Sequence, residues 1–296
     1  MSIVKSLAVG NGDMFYIRHN SDNFSAIDCC LPHDRQDDIL DEIADQSGDK
    51  GVCRFISTHP DQDHISGLVS FDDRFSIVNF YVVQNNATKS EETDDFKRYK
   101  SLRDDNKKPF YLSRGCRRRW MNESNEERDQ AGIDILWPIL TNDHFKNALE
   151  HAEDGGSPNN ISPIIRYSVG NGARMMWMGD LEAGFMEDIQ DAVTPAASDV
   201  LFAPHHGRKS GRVPKDWLAH IDPTIIVVGE APSSDLTYYD GWNTITQNSA
   251  GDIVFECLEG KTHVFVSNST YAVDFLTEEL GVGYRHGCCY IGTFYT

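Results

Sequence analysis

The chain has 296 residues, of which 27 are basic and 46 acidic, and its net charge is −19. Such a charge repels polyanions at long range, which argues against a protein that coats DNA or lies on an anionic membrane. The sequence contains no run of about eighteen apolar residues that would predict a membrane-spanning helix. The N-terminus, MSIVKSLAVGNGD, reaches polar turn residues too early for a signal peptide. These features predict a globular protein of the cytoplasm.

The first 84 residues predict alternating strands and one helix. Two strands, 14–19 and 24–29, flank the turn cluster NSDN and predict a hairpin. Residues 35–46 carry apolar side chains at helical spacing. The runs at 52–57 and 76–84 predict buried strands.

Residues 85–130 are polar and predict a charged, partly helical insertion on the surface, which could bind a protein partner. No linker divides the chain, so we expect a single domain over 1–296. The elements after the insertion are predicted to be a strand at 133–139, a helix at 142–153, a hairpin that turns at Gly170-Asn171-Gly172, strands in SDVLFA and TIIVVGE, and a β-rich extension at about 251–296.

Four potential metal ligands lie in the loop after the strand at 52–57. In STHPDQDHISG these are His59, Asp61, Asp63 and His64. Imidazole and carboxylate ligands suit zinc, manganese or iron. Four ligands this close in sequence cannot all bind one ion without distorting the loop. The pairing of His59 with Asp61, and of Asp63 with His64, therefore predicts two neighbouring metal ions, which together can activate a water.

Two later strands end in groups of the same chemistry. Asp180 follows MMWMG, and His205 and His206 follow LFAP. Three strand ends that each deliver ligands predict one functional rim of a sheet. The alternative is structural: HPDQDH could be a capped helix start, and the GD pair could be a plain turn.

Several motifs in order along the chain resemble those of the metallo-β-lactamase superfamily. HPDQDH resembles its HxHxDH signature, with Asp61 in place of the second histidine, and AIDCC, STHPDQDHISGL, MMWMGD and APHHG occur in the order of its motifs. This HxDxDH variant is most similar to the hydrolase domain of bacterial competence DNA-uptake channels and to choline-phosphate esterases. VGNGDMFYI and NNISPIIRYSV resemble further stretches of those domains. The resemblance covers roughly 5–230 and implies an αββα sandwich of two mixed β-sheets, with a dimetal site at one edge.

The resemblance also implies a role for each matching residue. Asp63, Asp180 and His205 would take part in catalysis, His205 as a phosphate contact or as a proton donor to the leaving group. Asp28 would orient a ligand or the activated water. Two divalent ions are implied, zinc or alternatively manganese. The implied ligands are His59 and Asp61 for the first ion, Asp63, His64 and His206 for the second, and Asp180 as the bridge.

Two stretches near these motifs carry further candidates. Many superfamily members have another histidine where this chain has Asn159 and Asn160, which are therefore candidate metal or substrate ligands. Because neutral amides bind zinc weakly, we expect the first ion to be loosely held or to be manganese. Arg208, Lys209 and Ser210 follow the paired histidines and are either phosphate contacts or a plain loop.

We expect a metal-dependent hydrolase, most specifically a phosphodiesterase or nuclease in which two metal ions activate a water. The substrate would be a phosphoester, a nucleotide or a nucleic acid. The acidic composition favours a small or single-stranded substrate. Two alternatives stay open: hydrolysis of an amide, lactone or thioester at the same site, and a non-catalytic metal-binding module of a larger assembly.

Overall fold

A computed structural model of the chain describes residues 1–168, 170–232 and 234–296. Its strands are β1 (Ser2–Ser6), β2 (Phe15–Arg18), β3 (Asn23–Ile27), β4 (Val52–Ser57), β5 (Phe80–Val82), β6 (Pro109–Tyr111), β7 (Ile133–Trp137), β8 (Ile164–Ser168), β9 (Arg174–Trp177), β10 (Val200–Phe202), β11 (Ile225–Val228), β12 (Thr244–Thr246), β13 (Ile253–Leu258), β14 (Lys261–Val266) and β15 (Cys289–Tyr295). Its α-helices are α1 (Gln36–Ser47), α2 (Gln62–Ile65), α3 (Leu68–Phe75), α4 (Asp94–Arg103), α5 (Asp143–Glu153), α6 (Ala183–Asp188), α7 (Lys215–Ile221) and α8 (Gln247–Ala250).

The strands form two mixed sheets. The first has the order β15-β14-β13-β1-β2-β3-β4-β5-β6, and the second has the order β12-β11-β10-β9-β8-β7. In the first sheet, β3 to β6 run parallel to one another, while the strands from β3 to β15 on the other side are antiparallel. In the second sheet, β9 to β12 are parallel and β7 to β9 are antiparallel.

The inner faces of the two sheets pack on each other, and helices cover the outer faces. Along β2 the side chains alternate: Phe15 points to the second sheet, where it meets the ring of Phe202 at 5.0 Å, and Tyr16 donates to Glu42 of α1 at 2.7 Å. The rings of Trp177 and Phe202 stack at 4.6 Å inside the second sheet. Helices α1, α3 and α4 pack on the first sheet, and α5 to α7 pack with the second. The predicted αββα sandwich of two mixed sheets is therefore confirmed.

The polar segment 85–130 is built into the first sheet. Its strand β6 pairs with β5, and α4 buries Phe96, Tyr99 and Leu102. Apolar side chains at helical spacing thus bind this charged segment to the core. The strand predicted at 76–84 was too long, because α3 runs to Phe75, Ser76 caps it with a left-handed φ of 52°, and β5 spans only Phe80–Val82.

The C-terminal residues supply three of the nine strands of the first sheet. β13 pairs with β1 from Ser2 opposite Cys257 to Ser6 opposite Ile253. β14 and β15 extend the sheet beyond β13. All seven cysteines are free.

The described part of the chain contains no helix with both the length and the apolar character that crossing a membrane requires.

A buried ion-pair network fastens β13 to the N-terminal half. The carboxylate of Asp252 lies 3.2 Å from Lys5 Nζ and 2.9 Å from Arg35 Nη2, and it accepts the N–H of Ala8 at 2.8 Å. Lys5 also pairs with Glu42 of α1 at 2.7 Å. Burial raises the pKa of Asp252, but the charge of Lys5 and the hydrogen bond from Arg35 outweigh burial and bring the pKa below its usual value. The ionised carboxylate therefore stabilises the folded chain.

Replacing Asp252 by asparagine leaves the buried Lys5 ammonium with only Glu42, and we expect the free energy of unfolding to fall by about 3 kcal/mol at neutral pH. Because the folded-state pKa lies below the unfolded value of 3.8, the contribution is fully present above pH 3.8 and is lost as the pH falls through the folded pKa. Urea denaturation at neutral and acidic pH measures both effects. The matched control is Asp274→Asn, an exposed position. Equal unfolding curves for the two variants at neutral pH would show that the network adds nothing.

Candidate metal centre

The candidate ligands lie where strands of both sheets end at one edge. Asp28 directly follows β3, and His59 lies two residues after the end of β4. Asp180 comes shortly after β9, and His205 and His206 come shortly after β10. Since β3 is parallel to β4 and β9 is parallel to β10, their carboxyl ends meet at the same edges of the two sheets. This is the position at which functional groups are held on a rigid scaffold.

Unusual backbone conformations concentrate in these loops. Asp28, His205 and His206 have positive φ values of 56°, 52° and 57°, which are uncommon for residues other than glycine. Gly179 has a φ of 51°, and a Cβ there would lie 2.6 Å from Ser162 Oγ, so the turn before Asp180 requires glycine. Backbone strain of this kind persists where the surrounding structure fixes it and is typical of functional sites.

Four imidazole rings direct their Nε2 atoms toward the buried carboxylate of Asp180. The distances to its oxygens are 3.9 Å from His59, 3.0 Å from His64, 3.6 Å from His205 and 3.8 Å from His206. Nε2 of His59, Nε2 of His64 and Oδ1 of Asp180 are buried, and none has a hydrogen-bond partner among the described residues. His64 Nε2 and Asp180 Oδ1 lie 3.0 Å apart, so a protonated His64 can form an ion pair with Asp180. The convergence of these donors on one carboxylate is the arrangement of ligands around a metal ion, which would take the place of that proton.

The Nδ1 atoms of three of these rings are each held by an oxygen atom. His64 Nδ1 lies 2.8 Å from Asp28 Oδ2, and His206 Nδ1 lies 2.9 Å from Asp13 Oδ1. His205 Nδ1 lies 2.9 Å from Ser210 Oγ. A carboxylate behind a histidine fixes its ring and raises its basicity, as is usual for metal-binding histidines.

The ring of His59 is anchored by two hydroxyl groups. Its Nδ1 lies 3.1 Å from Thr58 Oγ1 and 3.2 Å from Ser162 Oγ. Thr58 Oγ1 donates its own hydrogen to Asp28 Oδ2 at 2.6 Å, so it is free to accept from His59. This arrangement assigns the hydrogen of His59 to Nδ1 and leaves the lone pair of Nε2 directed at Asp180.

Asp13 belongs to the site although its residue type and spacing did not single it out. Asp13, His64, Asp180 and His206 form a group whose potential ligand atoms all lie within 4.8 Å of one another. The start of β2 meets the end of β3, because these strands are antiparallel with Phe15 opposite Ile27. Asp13 therefore reaches the same edge from a strand that begins there. The available signal was the VGNGD stretch, which the superfamily resemblance covered without giving its aspartate a role.

The two aspartates of the HPDQDH loop have different surroundings. Asp63 Oδ2 lies 3.4 Å from His206 Nε2. Asp61 Oδ2 lies 3.9 Å from His59 Nε2, and its other oxygen pairs with Lys89. The structure thus brings both predicted pairs of the loop to one place, and it adds a lysine that the sequence patterns did not indicate.

The asparagine pair contacts a glutamate. Asn160 Nδ2 donates to Glu182 at 3.0 Å, Asn159 Nδ2 lies 3.4 Å from the same carboxylate, and the N–H of Glu182 donates back to Asn160 Oδ1 at 3.0 Å. Asn159 Oδ1 is buried with no hydrogen-bond partner among the described residues. These contacts fix the chain just after Asp180, so the two amides position the site. Ligation by Asn159 stays a prediction.

Arg208, Lys209 and Ser210, which follow the paired histidines, have different surroundings. Ser210 holds the ring of His205, as described above. The backbone N–H of Lys209 donates to Asp235 at 3.0 Å, and the Lys209 side chain is exposed. Arg208 is half-buried. Phosphate contacts by Arg208 and Lys209 stay a prediction.

Close packing of charges shifts the pKa values of the ligands. Burial lowers the pKa of His206, but the carboxylates around it, Asp13 first, raise that pKa to about 10. Burial also opposes a charge on His64, yet Asp180 and Asp28 hold its pKa well above the usual value. Burial raises the pKa of Asp63, but the hydrogen bond from His206 and the charge of His64 bring it down to about 2. Metal binding must displace protons from these imidazoles, because a histidine ligand is deprotonated at the coordinating nitrogen.

These residues fit a divalent metal ion. The inward-facing donors are imidazole nitrogens and carboxylate oxygens, the set that suits zinc or manganese. Oxygen atoms on the Nδ1 side hold the rings with their Nε2 atoms facing inward. Burying these atoms costs free energy unless a cation binds them.

Comparison with known proteins yields a structural likeness only. No protein-family model and no curated protein matches the sequence. Among solved structures, the metallo-beta-lactamase fold protein YhfI from Bacillus subtilis aligns over 83% of this chain and 96% of its own, with a TM-score of 0.44 and 9% sequence identity. The fold assignment given above rests on the two sheets themselves.

Replacing Asp13 by alanine removes the carboxylate that fixes His206, and we expect the affinity for Zn²⁺ or Mn²⁺ to fall by about 10- to 100-fold. Isothermal titration of the folded variant measures this loss. Asp37→Ala, at an exposed position in the first turn of α1, is the matched control and should bind like the wild type. Wild-type affinity in the Asp13 variant would remove Asp13 from the site.

Proposed function

We propose that this chain is a metal-dependent hydrolase with a dinuclear centre and that it cleaves phosphodiesters. The observation that carries the proposal is the convergence of four imidazole Nε2 atoms on the buried Asp180. A structural cluster would satisfy its buried donors and acceptors with hydrogen bonds, because each unpaired polar group costs about 1–3 kcal/mol. Here His59 Nε2 has no hydrogen-bond partner among the described residues, and His64 Nε2 and Asp180 Oδ1 have only each other as ion-pair partners, at 3.0 Å. All three atoms face one centre.

The proposed ligand set is the one that the resemblance implies, and the contacts around Asp180 support it. His59 and Asp61 would hold one ion, Asp63, His64 and His206 the other, and Asp180 would lie between them. When bound, two divalent ions supply the Lewis acidity that activates a water and stabilises negative charge on phosphoryl oxygens. The protein contributes rings already oriented by the oxygen atoms behind them, so little reorganisation is needed when substrate binds.

His205 is the proposed proton donor to the leaving oxygen. Its Nδ1 is tied to Ser210, and its Nε2 faces Asp180 at 3.6 Å. Its side chain is 14% exposed, whereas those of the other three histidines have no exposed surface. A substrate can therefore reach His205 from solvent, which suits a group that must meet the leaving oxygen.

The phosphodiester class is supported by the HxDxDH resemblance and by the basic residues Arg208 and Lys209 beside the paired histidines. The net charge of −19 disfavours a long duplex and favours a small nucleotide or a single strand.

With Mn²⁺ or Zn²⁺ added, we expect the purified protein to hydrolyse bis(p-nitrophenyl) phosphate. Asp180→Asn should lower the rate by about 100-fold or more, because the substitution disturbs every ligand that faces this carboxylate. Release of p-nitrophenolate measures the rate. Asp188→Asn, an exposed position on α6, is the matched control and should retain full activity.

Three other outcomes would count against the proposal. Hydrolysis of carboxylic esters, thioesters or amides without phosphodiester cleavage would move the substrate to the alternative bond class. Metal binding without turnover of any substrate would favour a non-catalytic module. Turnover that Asp180→Asn leaves unchanged would place the chemistry elsewhere.

A further inference from the structure

Lys89 contacts one of the proposed metal ligands. Its ammonium donates to Asp61 Oδ1, and both side chains are mostly shielded from solvent, with 26% and 27% exposed. The other oxygen of Asp61 lies 3.9 Å from His59 Nε2. A predicted metal ligand thus already has a cation of the protein itself as a partner.

Hydrogen bonds on both sides hold Lys89 in place. The neighbouring Thr88 donates its N–H to Ala152 at 3.0 Å and its hydroxyl to the carbonyl of Glu153 at 2.8 Å, which fixes it to the end of α5. On the other side, Thr93 donates to the side chain of Gln62 at 2.8 Å. Gln62 belongs to the HPDQDH loop, which we call the ligand loop. Lys89 therefore lies in a segment that hydrogen bonds fix on both sides.

The same segment also fixes the ligand loop. Asp95, in the first turn of α4, accepts the N–H of Gly67 at 3.1 Å and that of Val69 at 3.0 Å. These groups lie just after the HPDQDH stretch, at the start of α3, where backbone donors have no partner within the helix. These hydrogen bonds therefore fix the position of the ligand loop relative to the segment that carries Lys89.

Charge is distributed unevenly around Asp180. We call His59 and Asp61 the first site, and Asp63, His64 and His206 the second site. Among the ion pairs of the described residues, Lys89 is the one lysine or arginine that pairs with a carboxylate of this region, and it pairs in the first site. The compact group of potential ligands includes His64 and His206 of the second site and neither member of the first.

We propose that Lys89 weakens metal binding at the first site, so that the two ions bind with unequal affinity. One ion binds tightly at the second site, and the other binds weakly and exchanges at the first. The ammonium of Lys89 neutralises the carboxylate of Asp61 and repels a divalent ion, and such repulsion is screened little away from bulk water. This inference rests on the proposed function, and it assigns to Lys89 the role of lowering metal occupancy at the first site.

Zn²⁺ titration of the full chain, followed by calorimetry and by metal analysis after dialysis, tests the inference without any activity assay. We expect the wild type to bind one ion tightly and a second more weakly. Lys89→Met should raise the affinity for the second ion by about 10- to 100-fold and leave the tight ion unchanged. Lys89→Gln serves the same purpose if the methionine variant does not fold.

Two control variants separate charge at the site from charge in general. Lys97→Met removes an exposed lysine of α4 that pairs with Asp94, and it should titrate like the wild type. Lys89→Arg keeps the charge and should also bind the second ion weakly. Two equally tight ions in the wild type, or a Lys89→Met titration identical to the wild type, would overturn the inference and leave the proposed function standing. A folded wild type that binds no metal would overturn both.

Discussion

The buried carboxylate of Asp180 is the constraint on which the rest of the site depends. It faces four imidazole Nε2 atoms, and only 2% of its side chain is accessible to solvent. Burial of a carboxylate is unfavourable unless positive charge compensates it. Protons on His64 and His206 can supply that charge, as their raised pKa values indicate, and metal ions can supply it more strongly. The hydrogen bonds to the Nδ1 atoms keep the four rings oriented toward the carboxylate of Asp180.

The sandwich itself brings the ligands together. Asp28, His59 and His64 follow strands of the first sheet, whereas Asp180 and His206 follow strands of the second. Neither sheet holds a complete site, so the centre forms only when the inner faces pack. Lys89, and Asp95 in the first turn of α4, also contact the HPDQDH loop and the residues just after it, which links a charged stretch of sequence to the candidate site.

Strand ends could be predicted from the sequence because they are local: an apolar run followed by histidine or aspartate is visible without a structure. Asp13 could not be found in this way, because it precedes its strand and reaches the site through an antiparallel register. The Lys89 contact joins residues 28 apart in sequence, and charge patterning alone indicated only a solvated surface. The asparagine pair was interpreted as a candidate ligand position from the superfamily resemblance, and its contact with Glu182, 22 residues beyond Asn160, could not be seen in the sequence. Each of these contacts is tertiary, so residue type and local spacing could not reveal it.

Long-range ¹H–¹⁵N NMR of the histidine side chains during a Zn²⁺ titration tests the central claim most directly, since it reports each ring nitrogen separately. We expect His59, His64 and His206 to keep the proton on Nδ1 and their Nε2 resonances to shift on metal binding. Coordination through Nδ1, or histidine spectra that zinc leaves unchanged in a folded protein, would contradict it.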